Sequence, residues 1–433
     1  MGRERPPANR VVQQSAGVRL LRRFTPASRR KLAMKFFVFI AAVQLVMAQS
    51  SNDRIVGALS DRALADQVGS LKTDDRIAMY SLLTKTKADN SHYQVLLAGA
   101  YVQKTRETTD YSYLDRAASI LDNVLSADSS NYEALRLQTE TQLERHLFAE
   151  AVESSRRLIK IAPDDPWNWG TLGDALIERG EYDGAGDAYQ KMISLRPDLA
   201  SYNRAAHFRF LYGDVDGAVA IMRRAVESGS SSPENMAWCL VDLGNIYIKT
   251  GKLDLARQSF TDALRTFRNY HPAFAGLGKV LAQTGDIKGA MESYKRAQAI
   301  TPLPDYAAAL YDLYRQSNQD REAARQMQLI DVIDELSRAN GEKANRNLVL
   351  IFADHDVKLG RALELAQGEL DFRKDIYSYD ALAWALYKNG RYREAQGAME
   401  KALKLGSPEP AFREHARLIQ EALTKEAGER ASK

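Results

Sequence analysis

The feature that most constrains this chain is a helix-pair pattern in residues 271–304 that recurs along most of its length. Small and apolar residues at helical spacing mark a first helix, a Gly285-Asp286 turn follows, and a second such set marks a second helix. Two amphipathic helices joined by so short a turn must lie antiparallel. Glycine inside a helix costs roughly 1 kcal/mol relative to alanine, so Gly278 indicates that the partner helix approaches closely. One such hairpin buries a single face and therefore requires neighbours.

The same marks recur in earlier segments, and 34 residues separate Gly244 from Gly278. The marks Gly278, Gly285, Ala290, Tyr294 and Ala297 recur as Gly244, Gly251, Ala256, Phe260 and Ala263, and again as Gly173, Gly180, Ala185 and Tyr189, with Pro197 in the place of Pro302. The chain therefore resembles the tetratricopeptide repeat family, whose motif is a helix pair with these residues at these offsets. The resemblance covers roughly residues 92–423. It implies an all-α fold, a right-handed superhelical solenoid of antiparallel helix pairs.

The strength of the pattern along the chain predicts its organisation. We expect a basic extension at 1–33, a signal peptide at 34–48, N-terminal capping helices or a degenerate repeat at 49–91, an array of about seven repeats at 92–338, a degenerate repeat with a linker at 339–375, a further repeat at 376–409, a capping helix at 410–425 and a disordered tail at 426–433.

The N-terminal segment has the layout of a secretory signal peptide. Lys35 precedes an apolar run over 36–46. A small-residue end of the kind that precedes a cleavage site follows at Val46-Met47-Ala48. That run is short for a membrane span, which needs about 20 residues. We therefore expect an exported protein, periplasmic or secreted. Met34 stands at the natural start of this signal, so residues 1–33 are interpreted as an upstream extension. A genuine long n-region with a twin-arginine-like motif, or a mitochondrial presequence, are the alternatives.

Charge and chemistry-bearing residues argue against several classes of function. Residues 1–48 carry a net charge of +9, so the overall +4 conceals a body of net charge −5, and the basic isoelectric point is no argument for nucleic acid. Cys239 is the only cysteine, and the six histidines lie far apart. Phosphate-loop, nucleophile-elbow and zinc-site motifs are absent from the sequence. We therefore expect no enzyme activity, no cofactor and no metal.

Function is then expected from the surface that stacked repeats create. In the family, the first helix of each pair lines a concave groove that binds peptides or extended segments of partner proteins. Short polar side chains one helical turn apart can hydrogen-bond the main chain of such a segment. Reading that face in successive units predicts these groove residues: Asp174, Asn203, Arg204, His207, Trp238, Asp242, Asn245, Lys279 and Asp312.

The leading hypothesis is an exported scaffold that binds partner proteins or extended peptides and serves in assembly of an envelope complex. The alternative is a substrate-recruiting or regulatory arm of a separate envelope enzyme, such as a transferase or synthase. The expected partners are other proteins or peptide segments and not nucleic acid. Membrane contact is expected only through the signal segment if it is uncleaved, and self-association stays open.

Overall fold

The computed structural model describes residues 68–69, 71–108, 110–230, 232–339 and 344–431. The extension at 1–33, the signal segment at 34–48 and, of the predicted capping segment 49–91, residues 49–67 and 70 lie outside the described residues. The chain divides into two compact units, Met1–Lys72 and Thr73–Lys433. Of the first unit, only 68–69 and 71–72 are described, so the helices below all belong to the second.

Twenty α-helices make up the described residues of the second unit, and these residues contain no strand. The first ten are α1 (Thr73–Thr86), α2 (Ser91–Thr108), α3 (Ser112–Ala127), α4 (Tyr132–Glu144), α5 (Phe148–Ile161), α6 (Pro166–Glu178), α7 (Tyr182–Leu195), α8 (Leu199–Leu211), α9 (Val215–Ser228) and α10 (Pro233–Lys249). The others are α11 (Leu253–Thr266), α12 (His271–Gln283), α13 (Ile287–Ile300), α14 (Pro304–Gln316), α15 (Asp320–Ala339), α16 (Arg346–Asp354), α17 (Leu359–Glu369), α18 (Ile376–Lys388), α19 (Tyr392–Ala402) and α20 (Pro410–Ala431).

Helices α2 to α19 form consecutive hairpins, in which each even-numbered helix packs against the odd-numbered helix that follows it. Each hairpin also packs against the next one, and α20 packs on α18 and α19 at the end of the stack. The predicted all-α solenoid of antiparallel helix pairs is therefore confirmed.

One boundary differs from the sequence-based expectations. Helix α20 continues to Ala431, so the prediction of a disordered tail is wrong for residues 426–431. All residues there except Gly428 are good helix formers, which lets the helix extend beyond its packed part. The weakest predicted unit, within 339–375, contains a helix pair, α16 and α17, that packs between α14 and α18.

Close packing inside the hairpins depends on the glycines that the repeat pattern marks. A Cβ added at Gly278 would lie 2.7 Å from the Tyr294 ring, and one at Gly244 would lie 2.7 Å from the Phe260 ring. Such distances are far shorter than a van der Waals contact, so a larger residue would push the two helices apart. The missing side chains therefore let an aromatic ring of the second helix lie directly on the first helix.

The chain also winds back on itself, so that late hairpins contact early ones. The Lys374 amide donates a hydrogen bond to the Glu178 carbonyl over 2.7 Å, and the Ile376 amide donates to the Tyr182 hydroxyl over 2.8 Å. Near the other end, Gln103 Nε2 donates to Glu234 Oε2 over 3.3 Å. We call the contact of residues 370–376 and 403–409 with the hairpins of α4 to α10 the seam.

Candidate functional site

The nine predicted groove residues lie on the first helices of five hairpins, and they divide into two groups. One group makes hydrogen bonds or ion pairs inside the protein, and the other does not. The first group is Asp174, Asn203, Arg204, Asp242 and Asp312. The second group is His207, Trp238, Asn245 and Lys279, which make no hydrogen bond or ion pair with any residue that the structure describes.

Asp174 and Arg204 form a bidentate ion pair that links α6 to α8. The Arg204 Nη2 atom lies 2.6 Å from Asp174 Oδ2, and Nε lies 2.8 Å from Oδ1. The Tyr189 hydroxyl donates a further hydrogen bond to Asp174 Oδ1 over 2.8 Å. A bidentate pair of this kind fixes orientation as well as charge. These two residues therefore hold neighbouring hairpins together.

Asn203 and Asp242 connect the next two first helices in the same way. Asn203 is 2% exposed, and its Nδ2 donates to Asp242 Oδ2 over 3.3 Å. Burial raises the pKa of Asp242 to about 6, while the Asn203 hydrogen bond and Lys249 act in the opposite direction. Desolvation thus outweighs the two interactions that favour the charged carboxylate.

Asp312 is held further along the solenoid by His355, which directly follows α16. His355 Nε2 lies 2.9 Å from Asp312 Oδ1, and this hydrogen bond raises the pKa of His355. The contact joins α14 to α16. Asp312 therefore belongs to the group of residues that connect hairpins.

The remaining four residues form what we call the inner stripe: His207 on α8, Trp238 and Asn245 on α10, and Lys279 on α12. Trp238, Asp242 and Asn245 follow one another at spacings of four and three residues, which places them on one face of α10. Trp238 is 46% exposed, an unusual fraction for a residue with so large an apolar surface. The inner stripe thus offers one indole and three polar groups without partners in the described chain.

Lys249, at the end of α10, connects the inner stripe electrostatically. Desolvation, followed by the charge of Lys249, lowers the pKa of both His207 and Lys279. Lys249 is itself ion-paired with Glu409, and the Tyr377 hydroxyl donates to Glu409 Oε1 over 2.8 Å. Side chains from α8, α10 and α12 and from the loop before α20 therefore converge on this lysine.

Sequence reasoning missed Lys249, although a signal for it was present. Lys249 follows Asn245 by four residues and continues the face of α10 that carries Trp238 and Asp242. Glu409 offered no such signal, because its place beside Lys249 follows from the winding of the chain and not from the repeat.

Two observations on the described residues concern metal binding and thiol chemistry. They hold no group of three His, Cys, Asp or Glu side chains that could bind a metal ion. Cys239 is buried, and burial raises its pKa to about 12, so its thiol stays protonated at neutral pH. A search of the described helices also finds none that is long and apolar enough to cross a bilayer.

The architecture is that of a helical-hairpin solenoid, a class defined by repeated packing and not by a reaction. A family model described as tetratricopeptide repeat matches residues 171–233, 241–307 and 381–418. These ranges include α6 to α9, α10 to α13 and α18 to α19, where the repeat pattern is strongest. The chain therefore contains tetratricopeptide repeats in these three ranges.

Curated relatives share segments of this chain. Protein CTR9 homolog of Arabidopsis thaliana is 24% identical over 188 residues, which are 43% of this chain and 17% of that protein. BBSome complex member BBS4 of Bos taurus is 27% identical over 159 residues, which are 36% of this chain and 30% of that protein. The chain thus spans less than a third of either relative, and the likeness lies in the repeats.

Solved structures that resemble this chain share little sequence identity with it. A structure of the human IFIT1 dimer with m7Gppp-AAAA has a TM-score of 0.51 at 15% identity and covers 77% of each chain. The APC/C hetero-tetramer Cut9-Hcn1 has a TM-score of 0.49 at 15% identity, over 81% of this chain and 59% of that one. At such identities the likeness concerns the fold alone.

Proposed function

We propose that this chain is a protein-binding scaffold that holds an extended segment of a partner protein against the inner stripe. The observation that carries the proposal is the contrast on one surface between groups that are hydrogen-bonded and groups that are free. Polar groups on the inner faces of α6, α8 and α14 are mostly paired, whereas His207, Asn245 and Lys279 retain their hydrogen-bonding capacity beside an exposed Trp238.

Each group of the inner stripe suits one part of an extended peptide. The Asn245 amide can donate to and accept from a peptide main chain. The Lys279 ammonium can pair with a carboxylate, and the Trp238 indole can cover an apolar or cationic side chain. Several modest contacts on a preformed surface give useful affinity because little conformational entropy is lost on binding.

Site-specific cross-linking in the native host tests the placement. A photoreactive phenylalanine at position 238 should capture a partner protein, because that side chain lies on the inner face. The matched control is position 255 on α11 of the same hairpin, where Leu255 is 37% exposed on the second helix. Capture at 255 and not at 238 would place the binding surface on the second helices and contradict the proposal.

A variant with alanine at all four inner-stripe positions provides the second test. Its thermal unfolding should stay close to that of the parent, because Trp238 and Lys279 are exposed and the half-buried His207 and Asn245 make no hydrogen bond or ion pair with any described residue. Its yield of the partner cross-linked at a neighbouring inner position, such as Asn235, should fall. Unchanged capture by a folded variant would argue against these four side chains.

The location in the cell is the finer part of the proposal. We infer that the protein is exported and serves in an envelope complex, a reading supported by Lys35 and by the apolar run at 36–46. N-terminal sequencing of the mature protein from its native host should begin at or near Gln49. An intact Met1 or Met34 on a cytosolic protein would contradict export and leave the binding proposal unaffected.

A further inference from the structure

The loop between α17 and α18 enters a slot formed by the turns of two early hairpins. The Phe372 ring stacks on His146, with ring centroids 5.9 Å apart and planes at 7°, and lies 6.3 Å from the Phe148 ring. His146 occupies the turn between α4 and α5, and Phe148 begins α5. An aromatic side chain of the loop is therefore held against two rings of a hairpin 226 residues earlier in the sequence.

Arg373, the next loop residue, adds an ion pair to these ring contacts. Arg373 Nε lies 2.5 Å from Glu178 Oε2 at the end of α6, and the guanidinium lies 5.2 Å from the centroid of the Phe148 ring. The Arg373 side chain is only 13% exposed, and that of Glu178 is 30% exposed. An ion pair this protected from water is screened less by salt than a surface pair.

The third loop residue contributes main-chain contacts. The Lys374 amide donates to the Glu178 carbonyl, and a Cβ at Gly180 would lie 2.4 Å from the Lys374 carbonyl oxygen. Glycine at this turn thus leaves room for the backbone of the loop. We define the slot as His146, Phe148, Glu178 and Gly180, which together recognise an aromatic ring, a cation and a main chain.

The loop that fills the slot is not part of the helical stack. Helices α18 to α20 themselves share a buried core with α5 to α8, and the loop between α17 and α18 adds contacts to the early hairpins through its own residues. Its departure would leave every hairpin packed on its neighbours. Segments with few packing partners open at lower free energy than the core does.

We propose that the slot is an exchangeable peptide-binding site, occupied by the chain's own Phe372-Arg373-Lys374, and that a partner segment with an aromatic residue followed by a basic residue displaces this loop. The tethered loop competes at an effective concentration on the order of millimolar. A partner must therefore bind tightly or be tethered elsewhere on the scaffold. The slot uses none of the inner-stripe residues, so its test is independent of the function proposed above.

A peptide with the chain's own sequence GELDFRKDIY, residues 368–377, is the probe. The receptor is the full chain with Phe372→Ala and Arg373→Ala, which removes the two side chains that occupy the slot and leaves only the Lys374 main chain there. Fluorescence anisotropy of the labelled peptide should show saturable binding to this variant and binding at least about tenfold weaker to the parent, where the tethered loop competes. Adding Glu178→Gln to the variant should weaken binding again, and a peptide with alanine in place of phenylalanine is the control.

Lack of saturable binding to a variant with parental circular dichroism would overturn the proposal. Amide hydrogen exchange on the parent chain gives a second readout that needs no substitution. Millimolar peptide should speed exchange of the Lys374 amide, which loses its bond to Glu178 when the loop leaves, and should leave the amides within α12 unchanged. Unchanged exchange at Lys374 in saturating peptide would show that the loop is a fixed part of the fold.

Discussion

The turns inside the hairpins of this solenoid share one backbone conformation and differ in what surrounds them. Gly180 and Gly213 have φ of +72° and +79°, and a Cβ there would lie 2.4 Å and 2.9 Å from the carbonyl oxygens of Lys374 and Gly406. Gly251 and Gly285 have φ of +73° and +85°, yet a Cβ on either would meet no described atom within 4 Å. The repeat dictates the conformation, and the winding of the chain dictates the contact.

Other hairpins show that this turn requires a left-handed residue and not always glycine. His146 and Asn318 occupy the turn in their hairpins with φ of 60° and 57°. At His146 the seam uses the side chain itself, as a surface for Phe372. Glycine is therefore needed for space only where another main chain approaches the turn.

The largest expected effect separates the two groups of turns directly. Gly180→Ala should lower the free energy of unfolding by about 2–4 kcal/mol, because a left-handed alanine costs about 1–2 kcal/mol and the collision with Lys374 adds a similar amount. Gly285→Ala should cost only the conformational part. Chemical denaturation followed by circular dichroism measures both. Equal losses of unfolding free energy in the two variants would show that the Lys374 main chain can move away from Gly180 at no cost.

The second prediction concerns a glycine that is needed for space alone. Gly244 is buried within α10, and Gly244→Leu should cost about 1–3 kcal/mol because the side chain must displace the Phe260 ring. The matched control is Gly397, an exposed position within α19 with nothing near its absent Cβ. Gly397→Leu should be neutral or stabilise by up to about 1 kcal/mol, because leucine is the better helix former. The same denaturation experiment decides between them.

The sequence predicts the packing inside each hairpin but not the contacts of the seam. Gly244 and Gly278 mark close packing because the helix period places them opposite Phe260 and Tyr294, which the repeat also marks. The seam has no such signal, since Tyr182 and Ile376 are 194 residues apart in the chain. Their contact depends on small rotations between hairpins that accumulate along the stack.

The candidate site shows the same limit. The helix period placed the nine groove residues on the inner faces of their helices, but it could not show which of them would be paired. The Asp174–Arg204 and Asn203–Asp242 contacts depend on the distance between neighbouring first helices. The assignment of all nine as binding residues stays a prediction. The proposal above restricts it to the four unpaired residues of the inner stripe.

A third, smaller effect concerns how the stability contributed by Asp242, one of the paired inner positions, depends on pH. The pKa of Asp242 is raised to about 6 from an ordinary value of 3.8, so between these values the folded state binds more protons than the unfolded state. Stability should therefore fall as pH rises from about 4 to 6 and then level off. Asp242→Asn removes this penalty and should stabilise the protein by about 1 kcal/mol at pH 7.5, a value reduced for partial solvent screening.

Thermal unfolding of parent and Asp242→Asn across this pH range measures the difference, which should shrink toward pH 4. The substitution keeps an amide near Asn203, so a hydrogen bond can still form between them. A variant that is less stable than the parent by the same amount at every pH would show that the carboxylate is fully compensated in the folded state.

The smallest expected effect tests whether the open turns need glycine at all. Asn318 adopts φ of 57° at the turn between α14 and α15, and asparagine tolerates this conformation because its short side chain bonds locally. Gly285→Asn should therefore change the free energy of unfolding by only about 0.5 kcal/mol, well below the cost of alanine at the same turn. Gly180→Asn should still cost about 1–2 kcal/mol, because asparagine relieves the backbone conformation and not the collision with Lys374. If asparagine rescued both turns equally, conformation alone would explain Gly180, and the seam would have to move aside to admit a side chain.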